Sequence, residues 1–226
     1  MKSISFTKTT QEKNNMAGLG FGTVKGSAKK DKADSYKIVD GDNSVRLFGN
    51  ILPRYVYWIK GTNGKNLPFE CLEFSRETET FDRAQKDWVK EFYPDLKCGW
   101  SYSMMCLDKG VPKIFNFKKK LFDAIMANVE DLGDPTDPET GWDLRFQKKK
   151  TGPLPINVEY TLQVMKCANS KRPLTDEERE TIANAKPIEE VLARATPEAQ
   201  KELLEKLLKG DDETIDEAVA EELQAQ

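Results

Sequence analysis

Aromatic and cationic side chains are interleaved along the middle of the chain. Arg46, Arg54, Tyr55, Tyr57, Trp58, Lys60 and Lys65 fall within twenty residues. Trp100, Tyr102, Lys118, Lys119, Lys120, Arg145, Phe146 and the run Lys148, Lys149, Lys150 follow. Aromatic rings offer flat faces to unstacked bases, worth about 1–3 kcal/mol per base, while cations neutralise phosphates. Both together favour a single strand over a duplex, whose bases already stack on each other. Any one ring in a strand is more often core than ligand contact, so the clustering carries the inference.

Other chemistries lack their residues. The chain contains no histidine, which excludes Ser/His/Asp and Cys/His catalysis and His-based metal sites. Cys71, Cys98, Cys106 and Cys167 lack the paired short spacing of a metal knuckle or a disulfide framework, and are expected to be reduced and buried. Asp131, Asp134, Asp137, Glu139 and Asp143 are numerous enough for a divalent cation, but their setting, DLGDPTDPETG, has the composition of an acidic turn. No catalytic residue, cofactor or metal is therefore expected.

The elements that must position these residues follow from local patterning. VRLFGNIL (45–52) and YVYWIK (55–60) are dense in β-branched and aromatic residues, and Asn63-Gly64 supplies a hairpin turn before residues 67–74. Alternation in WSYSMMC (100–106) puts Trp100, Tyr102, Met104 and Cys106 on one face and Ser101, Ser103 and Met105 on the other. VEYTLQV (158–164) alternates likewise. Helices are expected over 80–93, with Phe81, Ala84, Trp88 and Phe92 on one stripe, and over 119–132, ended by Gly133-Asp134-Pro135. Later, Thr175 and Glu178 form a capping box, and Thr196-Pro197 opens an amphipathic helix that stops at Gly210. The fold class is thus α+β, mainly β: a small barrel of the oligonucleotide/oligosaccharide-binding (OB) kind, with helical insertions and a helical C-terminal segment.

Charge divides the chain. Asp211, Asp212, Glu213, Asp216, Glu217, Glu221 and Glu222 give residues 211–226 seven carboxylates and no base. Residues 1–210 keep all 35 basic residues against 31 acidic ones, a net charge of +4. A cationic body with an anionic tail suits a polyanion binder whose tail competes for its site or recruits a partner. Residues 1–36, rich in Lys, Gly, Ser, Thr and Asn, form an expected flexible basic arm. Four regions result: the arm at 1–36, a barrel core at 37–172, a helical segment at 173–210 and the acidic tail at 211–226. Short, charge-interrupted hydrophobic stretches, and an N-terminus without an apolar core, suggest a soluble intracellular protein without membrane association.

The order RLFGNILPRYVYWIKG, PFECLEF, LKCGWSYSMMCLD, KIFNFKKKLFDAI and DLGDPTDPETGWDLRFQKKKTGPLPINVEYTLQ, closed by the acidic tail, resembles single-stranded DNA-binding proteins of tailed bacteriophages over roughly residues 44–226. The resemblance implies a helix-destabilising protein that coats exposed DNA in phage replication, recombination and repair, in the cytoplasm of the infected host. It also implies self-association on DNA, and contacts between the tail and phage replication and recombination proteins. Such proteins often carry a zinc site of clustered Cys with a His, which this chain lacks. An RNA-binding, annealing or protein-interaction module is the alternative.

Overall fold

A computed structural model describes residues 34–62, 64, 66–154 and 157–210. The expected arm up to residue 33, the turn residue Asn63, Lys65 and the acidic tail lie outside the described residues.

The organising element is a single long strand, β1 (Gly41–Lys60). The two strands expected at 45–52 and 55–60 are its halves. One edge of β1 pairs with β5 (Gly99–Asp108), which pairs in turn with β6 (Val111–Phe117). The opposite edge is shared by β7 (Asp143–Lys150), opposite residues 41–46, and β2 (Asn66–Glu70), opposite residues 56–60. Strand β8 (Val158–Leu162) completes the antiparallel order β6-β5-β1-β7-β8. Between Phe48 and Leu52 the register with β5 shifts, and Gly49 at φ +75° supplies the left-handed residue that bends the strand there.

The bend curls the sheet. Phe115 on β6 and Phe146 on β7 are separated by two intervening strands, yet their ring centroids lie 6.0 Å apart. In a flat sheet three strand spacings would hold them roughly 14 Å apart. Among the described residues no backbone pairing joins β6 to β8, so the sheet is open and the expected barrel is not closed. Two elements occupy the opening. Helix α2 (Lys119–Met126) packs Leu121 and Ile125 in one core with Phe117 of β6 and Leu162 of β8. Residues 34–40 enter alongside β6, with Tyr36 N–H donating to Ile114 O at 2.7 Å, before the chain joins β7 through β1.

The helices partly depart from expectation. Only α1 (Trp88–Phe92) forms within 80–93, because Asp87 caps it while its other oxygen accepts from Leu72 N–H. Thr80 and Phe81 instead pair with Ser75 and Phe74, as β4 (Thr80–Phe81) and β3 (Phe74–Ser75) of a two-stranded ribbon. The helix expected at 119–132 divides into α2 and α3 (Val129–Leu132). Helix α4 (Val164–Ala168) cuts β8 shorter than its alternation suggests.

The C-terminal segment forms α5 (Asp176–Asn184) with its capping box, α6 (Ile188–Val191), and α7 (Pro197–Lys209) ended by Gly210. Leu204 and Leu207 of α7 are buried with Tyr57, Ile59, Phe69 and Val89, while Ile188 of α6 joins Phe48, Leu52 and Met105. None of the helices in the described residues is long and apolar enough to cross a membrane. Cys71, Cys106 and Cys167 are buried and Cys98 is half-buried, all as free thiols.

Candidate nucleic-acid interface

Alternation along the second half of β1 sorts the side chains. Tyr57 and Ile59 point to the core under α1 and α7; Arg54, Val56 and Trp58 point the other way. There they line an open cleft of about 370 Å³ together with Trp100, Ser101, Asn116, Lys118 and Lys119. Five of the sequence candidates, Arg54, Trp58, Trp100, Lys118 and Lys119, thus meet in one concavity although they come from three elements and a loop.

An aromatic strip continues from the cleft. The Trp100 ring lies 4.6 Å from Tyr102 and 5.4 Å from Phe122, and Tyr102 and Phe122 stack at 4.9 Å with their planes 14° apart. Tyr55, opposite Trp100 across the β1–β5 pair, contacts Phe74 at 4.8 Å and Phe81 at 4.9 Å. Phe81 is 50% exposed. The Tyr102 hydroxyl donates to the Glu79 carboxylate. Burial, reinforced by that carboxylate, pushes the Tyr102 phenol up to about 12, so it is a neutral donor at physiological pH.

Positive charge gathers at the start of α2. Lys118 stands at its N-cap without a side-chain cap, Lys119 and Lys120 occupy its first turn, and no acidic residue offsets them there. Cations at this end oppose the helix dipole, so local helix stability is given up for a positive corner. Lys119 Nζ lies 5.7 Å from the Trp100 ring centroid and 3.2 Å from the Asp123 carboxylate. Lys118 is half-buried; burial first, then the nearby Lys148, lowers its pKa. Among the described residues no carboxylate forms an ion pair with it. Lys148 itself pairs with Asp40 at 3.0 Å.

Several sequence candidates are placed elsewhere. Tyr57 is 1% and Phe146 0% exposed, and both fill cores, so neither offers a stacking face. Arg46 is 3% exposed, and its Nη2 donates to the carbonyls of Asp137 at 3.0 Å and Arg172 at 3.2 Å. A Cβ at Gly141 would stand 2.7 Å from that Nη2, so the glycine gives the guanidinium its room. Arg46 therefore ties β1 to two turns, and burial lowers its pKa. Arg145 pairs with Asp143 at 3.2 Å. Lys60, Lys120, Lys149 and Lys150 are exposed at element ends, outside the cleft lining.

The sequence reading passed over Phe122, Phe81 and Asn116. Phe122 follows Lys119 by three residues, the spacing that puts both on one helix face, and this was the available signal. Four of the carboxylates at 131–143 have turn or ion-pair partners: Asp134 accepts from Thr136 N–H, Asp137 from Glu139 and Thr140 N–H, Glu139 pairs with Arg179, and Asp143 with Arg145. Among the described residues no group of three metal-ligating side chains gathers.

No model of a known protein family matches the chain. It is similar to a curated protein of Escherichia phage T5 named as a probable ssDNA-binding protein, with 31% identity over 147 residues. The match covers 59% of this chain, which spans 55% of the length of that relative.

Proposed function

We propose that this chain is a non-enzymatic single-stranded DNA-binding protein of a tailed bacteriophage. The observation that carries the reading is the cleft in which Trp58 and Trp100 stand beside Lys118 and Lys119. Rings there stack on unpaired bases and the lysines hold the intervening phosphates, a combination largely indifferent to base sequence. Tyr102 and Phe122 extend the stacking surface, and Lys148 extends the cationic path. The similarity to the phage T5 protein supports the same ligand. The curled sheet, with α2 and residues 34–40 in its opening, is a variant of the OB barrel in this reading.

The finer roles belong to the same proposal. The protein coats and protects exposed strands during phage replication, recombination and repair in the host cytoplasm, and self-associates on them. Its carboxylates from Asp211 to Glu222 compete with DNA for the cationic surface and recruit the phage's replication and recombination proteins. Deleting residues 211–226 is expected to tighten DNA binding and abolish recruitment.

Intrinsic tryptophan fluorescence tests the reading directly. Trp58 and Trp100 line the cleft, whereas Trp142 is buried and Trp88 lies between Lys86 and Lys201. Titration with a poly-dT oligonucleotide should quench strongly, more weakly at higher salt, and a duplex of equal length should not. No binding to the single strand at low salt would overturn the proposal. Tighter binding to RNA of equal length would favour the RNA alternative.

A further inference from the structure

The cleft presents hydrogen-bond donors in a fixed arrangement. Arg54 Nη2 donates to the hydroxyl of buried Ser103 at 2.9 Å, and that hydroxyl donates to Asn116 Oδ1 at 2.6 Å. A hydroxyl has one proton, so accepting from Arg54 and donating to Asn116 fixes its orientation. The Asn116 amide is thereby oriented with its carbonyl oxygen toward Ser103. Its NH2 is left as the amide's hydrogen-bonding group, on a residue that lines the cleft. Arg54, which also lines it, can only donate. Trp58 and Trp100 supply flat apolar surface beside these donors, and about 370 Å³ is within the range of small-molecule pockets.

We propose that this cleft is a base-reading subsite, which admits one unstacked nucleotide and selects a pyrimidine whose 4-position is a carbonyl acceptor over one whose 4-position is an amine. The inference rests on the single-strand reading and deepens it: most of the strand is bound without regard to sequence, and one position is read. A keto pyrimidine meets the donors with its 4-carbonyl. Cytosine brings an amine to the same place, so donor faces donor and both lose their water without a partner. Lys118, half-buried and without a carboxylate partner among the described residues, is placed to take the phosphate of the bound nucleotide.

Homopolymers of deoxyuridine and deoxycytidine test this, because they share ring size and backbone charge and differ at the edge being read. The full chain, titrated at low salt with equal lengths of each, should bind the uridine polymer tighter by on the order of fivefold. Asn116→Ala should collapse that ratio. Asn116→Asp keeps the acceptor for Ser103 while replacing the donor by an acceptor, and should turn the preference toward cytosine even as its charge weakens both affinities. Equal affinities in the unmutated chain, or a ratio unmoved in both variants, would overturn the subsite and leave the single-strand reading standing. Failure of both polymers to bind would overturn the two together.

Discussion

The two faces of β1 between Arg54 and Lys60 both carry aromatic rings and meet opposite fates. On one, Tyr57 and Ile59 lie beneath α1 and α7, sealed by Val89, Leu204 and Leu207. On the other, Arg54 and Trp58 border an open cleft with Trp100 and two lysines. Arg54 and Lys60 mark the open face as the more polar one, but alternation alone does not say which aromatic rings will be covered. What decides is the covering layer, supplied by an amphipathic helix nearly 150 residues further along the chain. An aromatic residue becomes core or ligand surface according to whether such a helix packs over it.

The largest expected effect lies on the sealed face. Tyr57→Ala should cost about 3 kcal/mol or more of stability, measured by denaturant unfolding, through the cavity beneath α7. The protein that remains folded should bind single strands with little loss. Trp100→Ala should do the reverse, losing about 1–3 kcal/mol of binding in a single-strand titration. If Tyr57→Ala weakened binding by the folded protein more than Trp100→Ala, the distinction between the faces would fail.

Lys118→Met sharpens the contrast within the open face. Affinity should fall, and the slope of log affinity against log salt should decrease by about 0.7 for the lost phosphate contact. Thermal stability should rise at the same time. Because the folded-state pKa of Lys118 is lowered, its protonated form is penalised in the native protein. The gain from Met should be present at neutral pH and fade as pH climbs toward the ordinary lysine value. A variant that bound less and was also less stable would assign Lys118 to packing.

The smallest effect lies away from both faces, at the start of α5. Arg172 holds the Glu178 carboxyl down, from 4.5 to about 2, with Thr175 N–H as a further donor. A depressed folded pKa contributes stability above the unfolded value and loses it as pH falls through the folded one. Glu178→Gln should therefore lower stability at neutral pH by about 1 kcal/mol for this half-buried pair. The gap between the variants should close between pH 4.5 and about 2, and DNA affinity should not change.

Much of this was legible locally. The Thr175 capping box, the start of α7 at Thr196-Pro197 and its end at Gly210 depend on nearest neighbours, and all three form. So do the two faces of β5: Met104 and Cys106 enter one core, and Met105 another. What stayed hidden depends on distant partners. Gly49 and Pro53 look like breakers, but pairing with β5 on both sides of the bulge carries β1 through them. Phe81 fits a helical stripe, and was drawn into a ribbon by Phe74 and Tyr55. Tyr57 and Phe146 satisfy every local rule for a stacking platform. Only the α7 contact and the curl of the sheet, neither of which leaves a mark near those residues, place them inside.

The sharing of one strand among three partners also sets an order of assembly. As the chain leaves a ribosome, residues 52–60 of β1 find β2 and β5 within about fifty residues, but Gly41 must wait for Lys148. Until then the first half of β1 has one edge without its final partner. Late closure of such long-range pairs slows folding and leaves strand edges available for pairing between chains. Conditions that keep nascent chains apart until β7 emerges would therefore favour recovery of the folded protein.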